Sequence, residues 1–110
     1  MANWTQTEIG EIWEKAEYID EKNEPNGFRK DQCGAWIKWS DYGNRNSKYG
    51  WEIDHIKPAS KGGEDIVSNA RPLHWKNNAS RQDGRLTKVV TSKGTKNILV
   101  ETGEEFNPND

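Results

Sequence analysis

Six tryptophans, at positions 4, 13, 36, 39, 51 and 75, decide what this chain can fold into, because little else in it is large and apolar. Hydrophobic residues make up 31% of 110, so the indole rings must supply much of the area removed from water. A chain of this length builds one core more readily than two, and residues 1–110 read as a single small domain. The lone cysteine, Cys33, excludes an internal disulfide and falls short of the four-ligand Cys and Cys/His sets of structural zinc sites, so no structural zinc is expected. Cys33 reads as a buried thiol, with a relic of a zinc knuckle as the alternative. No apolar run of signal-peptide length opens the chain, and none approaches the roughly 20 residues of a bilayer span. The expectation is therefore a cytoplasmic protein without a membrane partner, signal-less secretion being the alternative.

The net charge of −2 conceals an uneven distribution. Residues 1–26 carry seven acids and two bases, residues 27–100 carry fourteen bases and seven acids, and residues 101–110 carry four acids. A basic middle between acidic ends is compatible with a polyanion-binding face, but on charge alone a solvated surface is the simpler reading.

Thr5-Gln6-Thr7-Glu8 has the form of a capping box, with Trp4 and Ile9 placed to staple the turn. Ile9, Ile12, Trp13, Ala16 and Ile19 continue as one apolar stripe, predicting a helix over about 6–19. Pro25 and Gly27 break it, and "GAWIKW" at 34–39 reads as a short extended segment. "WEIDHI" at 51–56 is a strand that Pro58 ends near Lys57, "ARPLH" at 70–74 a second strand, and "WKNNASRQDG" a helix stopped by Gly84. "LTKVVT" and "KNILVE" around "SKGT" predict a β-hairpin over about 86–101, with a frayed tail at 103–110.

Three polar elements stand in order along this pattern: Asp54-His55 on one strand, Asn69 before the next, and Asn78 on the helix. With the flanking "DHIKPASKGG", "SNARPL" and "NNASR", the arrangement over 50–84 resembles the HNH endonucleases, and more loosely, back to about residue 28, their small stand-alone members. The resemblance implies an α+β fold with a ββα-metal (His-Me finger) core, here with an N-terminal helix and a C-terminal β-hairpin. It implies that His55 activates the water that attacks the phosphodiester, while Asn69 ties the loop and orients the imidazole. A histidine can be neutral and basic near pH 7, as a general base should be. Asp54 and Asn78 offer hard oxygen ligands for one divalent ion, Mg²⁺ first and Mn²⁺ second. His74 competes with Asn78 as the ligand from the helix side, and Asn77 reads as a cap or surface residue. Arg71, Lys76, Arg81 and Arg85 are the candidate phosphate contacts. Two departures from the family stand out: the Cys-x-x-Cys pairs that brace many of its members are missing, which leaves bracing to the N-terminal helix and tryptophans, and Ala70 is small enough to loosen the packing below the site.

The expected activity is metal-dependent hydrolysis of DNA, with RNA as a second substrate class. The rivals are a nucleic-acid-binding module that keeps the fold without cutting, and a toxin, effector or nickase subunit whose target a protein partner chooses or whose activity it inhibits.

Overall fold

The computed structural model describes residues 3–23, 26–81 and 85–109. Pro25, Gly84 and Asp110, assigned above to a helix break, a helix stop and the tail, lie outside them.

Both halves of the capping box form: the Glu8 amide donates to Thr5 Oγ1 at 3.1 Å and the Thr5 amide to Glu8 Oε1 at 3.0 Å. Helix α1 runs over Gln6–Trp13 and buries Ile9, Ile12 and Trp13. It ends earlier than the stripe predicts because Glu17 gives its backbone to Lys30, the two amides exchanging bonds at 2.8 and 3.1 Å. Tertiary pairing thus overrides local helix propensity. Arg29 helps stop the helix, with its guanidinium 3.2 Å from the Glu14 carboxylate and donating to the Glu14 carbonyl.

Among the described residues, three antiparallel two-stranded ladders follow. The first pairs β1 (Phe28–Lys30) with β2 (Trp36–Lys38). The sequence predicted β2 but not β1, a three-residue strand with two bases and no alternation to betray it. The second pairs β3 (Trp51–His55) with β4 (Ala70–His74), Trp51 opposite His74 and His55 opposite Ala70. Helix α2 (Trp75–Ala79) follows β4 without a gap, giving strand, strand, helix in succession. The third pairs β5 (Val90–Lys93) with β6 (Lys96–Leu99) across Gly94-Thr95, so the predicted hairpin is present with a tighter, two-residue turn.

The tryptophans do carry one core. Trp51, fully buried, lies with its ring 5.0 Å from Trp13, 6.0 Å from Trp39 and 4.8 Å from Tyr42. Ile9, Ala16 and Ile37 complete this cluster, and Trp4 packs against it. A second cluster joins Ala35, Val90 and Phe106, with Trp75, Val89 and Leu99 beside it. Phe106 corrects the expectation of a frayed tail: its amide bonds the Asn97 carbonyl at 2.8 Å, Glu105 bridges to Ile98, and its ring sits 5.1 Å from His74. One buried aromatic was enough to hold a segment otherwise rich in acids and turn formers.

Bracing between the clusters is polar. Asp31 accepts from the Cys33 and Ala35 amides through Oδ1, and from the His74 amide and Asn77 Nδ2 through Oδ2, at 2.9 to 3.1 Å. Asn77, fully buried, also accepts from the Val89 and Val90 amides and donates to the Val90 carbonyl. It is a core residue joining α2 to β5, which corrects its reading as a surface or cap position. Asn97 bonds both backbone groups of Trp36 and the Lys48 carbonyl. The helix and tryptophans therefore brace one side of the β3–β4 hairpin, and hydrogen bonds brace the other.

Candidate functional site

β3 delivers its last two residues to different surroundings. Asp54 is buried, with Oδ2 accepting from Arg71 Nε at 2.7 Å and Oδ1 paired with Arg81, which also donates to the His55 carbonyl at 2.7 Å. His55 keeps 22% of its side chain exposed, with Nε2 2.6 Å from Asp65 Oδ1 and its ring 5.9 Å from that of Trp4.

Asp65 reaches His55 because of how the loop after β3 is shaped. Gly62 has φ +87°, a left-handed value that a side chain disfavours, and a Cβ on Gly63 would collide with the Lys57 carbonyl. Asn69 then closes the loop: Oδ1 accepts from the Lys57 amide at 2.8 Å, and Nδ2 donates to the carbonyls of Lys57 at 3.1 Å and Glu64 at 2.9 Å. Its own carbonyl accepts from the Ile56 amide. The side chain that meets the imidazole is thus Asp65, next to a residue Asn69 holds, and any influence of Asn69 on the ring passes through the loop. The only sequence signal for Asp65 was an acid two positions past the Gly-Gly pair.

Asn78 faces a partner the sequence reading did not name. Its Nδ2 donates to Glu52 Oε1 at 2.8 Å, and Arg45 grips the same carboxylate through Nε at 2.6 Å and a terminal nitrogen at 2.8 Å. Burial alone would push the Glu52 carboxyl up, but the hydrogen bonds from Arg45 and Asn78 bring it below its ordinary value. Trp4, Tyr42, Arg45, Glu52, His55 and Asn78 line one cleft of about 500 Å³. Glu52 and Arg45 were invisible as site residues because strand alternation alone puts Glu52 on the solvent face.

The rival ligand His74 is accounted for structurally. It is fully buried; Nδ1 accepts from the Lys76 amide at 3.1 Å, which caps α2, and Nε2 donates to the Lys48 carbonyl at 2.8 Å. Both nitrogens are engaged, and burial pulls its pKa down. Cys33 is likewise a buried thiol, pushed up to about 11 by burial and then by Asp31. Ala70 is fully buried, and Lys15 bonds its carbonyl at 2.7 Å.

Of the predicted phosphate contacts, Arg71 and Arg81 are drawn inward onto Asp54, with 15% and 11% of their side chains exposed. Lys76 lies 5.7 Å from the Trp75 ring, and Arg85 is exposed. Among the described residues no three His, Cys, Asp or Glu side chains converge as a metal cage. Asp54, with its two oxygens on Arg71 and Arg81, is not among the residues lining the cleft that holds His55 and Asn78; by type, its carboxylate and the Asn78 amide oxygen are hard donors of the kind a divalent cation takes.

Residues 32–83 match the family model described as HNH endonuclease. No curated protein and no solved structure gives a significant match to the chain.

Proposed function

We propose that this chain, whose residues 32–83 match the HNH endonuclease family model, is a metal-dependent endonuclease hydrolysing phosphodiester bonds in DNA. The observation that carries this reading is the partly exposed His55 imidazole at a cleft, with one nitrogen engaged by Asp65 and the Asp54 carboxylate next to it in the chain. With Nε2–H donating to Asp65, His55 presents Nδ1 as the acceptor for a proton. His55 takes that proton from a water molecule as the water oxygen attacks phosphorus and the bond to the 3′-oxygen breaks. Asp65 keeps the ring aimed, and Asn69 keeps the loop that carries Asp65 closed. Asp54 and Asn78 would hold a divalent ion, Mg²⁺ in the first instance, with Glu52 close by. Such an ion, when bound, would supply positive charge that stabilises the transition state at phosphorus and the leaving oxygen. Arg71, Lys76, Arg81 and Arg85 serve the DNA backbone, the first and third after turning away from Asp54.

A second reading is favoured by the arginine pair on Asp54: a binding module on the same fold in which Arg71 and Arg81 occupy the carboxylate permanently. Supercoiled plasmid incubated with Mg²⁺, Mn²⁺, Zn²⁺ or EDTA separates the two. Nicking or linearisation that needs the metal, and that falls about 10² or more in His55→Ala while DNA affinity is kept, is the expected result. Equal cleavage by His55→Ala would remove the mechanism, and binding without cleavage in every metal would leave the module.

A further inference from the structure

The cleft at His55 presents ring faces that the hydrolysis itself does not require. We infer that this cleft seats an unpaired nucleobase, so that the chain acts on single-stranded or locally opened DNA in preference to intact duplex; this rests on the nuclease reading and names its substrate class. Its volume of about 500 Å³ lies in the range of sites that enclose small organic groups. Tyr42 packs 4.8 Å from the Trp51 ring yet stays 40% exposed, so it offers a supported aromatic surface to whatever enters. Trp4, anchored against the core cluster, continues that surface to within 5.9 Å of the His55 ring. Stacking on side-chain rings is the sequence-tolerant way of holding bases, since every base has a π-face.

The scissile phosphate needs the side of the cleft at His55 and Asn78, and Glu52 beside them can accept from the exocyclic amine of a neighbouring base, as carboxylates do with cytosine. Arg45, bound to Glu52 at the same cleft and 54% exposed, is a cation available to a backbone phosphate next to the seated base. A base within a duplex cannot use such a cleft, because both of its faces are covered by neighbours and only its edges are open in the grooves. Nor is there a long helix free to read a groove among the described residues: α1, eight residues long, turns Glu11 and its cap Glu14 to solvent, where phosphates repel them, and α2, five residues long, is tied down by Asn77.

The test is fluorescence anisotropy in EDTA with a labelled single-stranded oligonucleotide, the same sequence as duplex, and an abasic strand of equal length, followed by cleavage assays in Mg²⁺ and Mn²⁺. The single strand should bind about tenfold or more tightly than the abasic strand, the usual worth of a stacked base. Tyr42→Leu should lose most of that advantage and Tyr42→Phe should keep it, which separates stacking from misfolding; duplex binding should be alike in all three proteins. With metal, single strands should be cut faster than duplex. Equal binding of the three ligands, unaffected by Tyr42→Leu, overturns the cleft assignment whether or not DNA is cut. Base-dependent binding with no cleavage in either metal overturns the nuclease reading and leaves the cleft standing.

Discussion

Asp31 and Asp54 are both shielded from water, at 1% and 5% exposure, yet dipoles hold one carboxylate and cations hold the other. The partners of Asp31 are three backbone amides and the Asn77 amide, placed by the chain itself. The partners of Asp54 are Arg71 and Arg81, long side chains that reach it from β4 and from beyond α2. Backbone donors cannot leave without undoing the fold, whereas a guanidinium can swing to water and yield its place to another cation. The difference marks Asp31 as a clamp, and under the proposed function it makes Asp54 the carboxylate whose cations can be exchanged.

Removing the clamp should have the largest effect. Asp31→Ala strands four donors, and since hydrogen bonds to a charged acceptor contribute about 1.5–3 kcal/mol each without adding fully, a loss of about 3–5 kcal/mol is expected. Thermal unfolding should show Tm lower by about 15 °C or more. A fall of only a few degrees would mean that Asp31 is no clamp.

Asp54→Ala should cost about 3 kcal/mol, at the low end for a broken buried ion pair, because its arginines keep 15% and 11% of their side chains exposed and can turn to water. Its main loss should be in metal-dependent cleavage, partly restored by raising Mg²⁺ or substituting Mn²⁺. Destabilisation equal to that of Asp31→Ala, with no response to metal, would erase the distinction between the two aspartates.

The two sites were unequally legible in the sequence. Asp54, His55, Asn69 and Asn78 stood out as candidates because the proposed site needs particular residue types at particular spacings, and the local chain supplies those spacings. The clamp was hidden because its members are distant in sequence: Asp31 meets Asn77 over 46 positions and Asn97 meets Trp36 over 61. The same remoteness hid the Glu52–Asn78 contact, whereas β1 lies close to its partner β2 and was hidden by its shortness and lack of alternation. Phe106 escaped because a single aromatic in an acidic segment carries no periodicity, so only its packing against His74 and Trp75 reveals it.

The clamp should also respond to acid through His74, whose amide bonds Asp31. Burial lowers its pKa from the ordinary 6.5, only partly offset by the Lys48 carbonyl and the charges of Asp31 and Glu52. For a base whose folded pKa is depressed, the unfolded chain takes up the proton first. Stability should therefore decline as pH falls below about 6.5, by at most about 1.4 kcal/mol per pH unit, until the folded pKa is reached. Glu52, a carboxyl with lowered pKa, adds a separate loss only below its ordinary 4.5. Melts from pH 7.5 to 5.5 check this; a flat Tm, or one that rises toward acid, would show that His74 binds its proton in the folded state.

The smallest effect belongs to a third arrangement, in which neither partner is buried. Lys48 and Glu105 pair at 2.7 Å with 44% and 43% of their side chains exposed, and such pairs contribute little to stability. Glu105→Gln should leave Tm unchanged while freeing Lys48 and removing one negative charge from the acidic end. Deleting the whole tail would confound this comparison, because Phe106 would leave the second core cluster with it. If the acidic end weakens the attraction of the basic middle for DNA, Glu105→Gln should tighten non-specific binding by about twofold at low salt, and the gain should vanish once the Debye length shrinks. Equal affinity at low salt would show that Glu105 does not screen the binding face, and a gain that persists at high salt would point to a direct contact with DNA at Lys48 rather than to long-range charge.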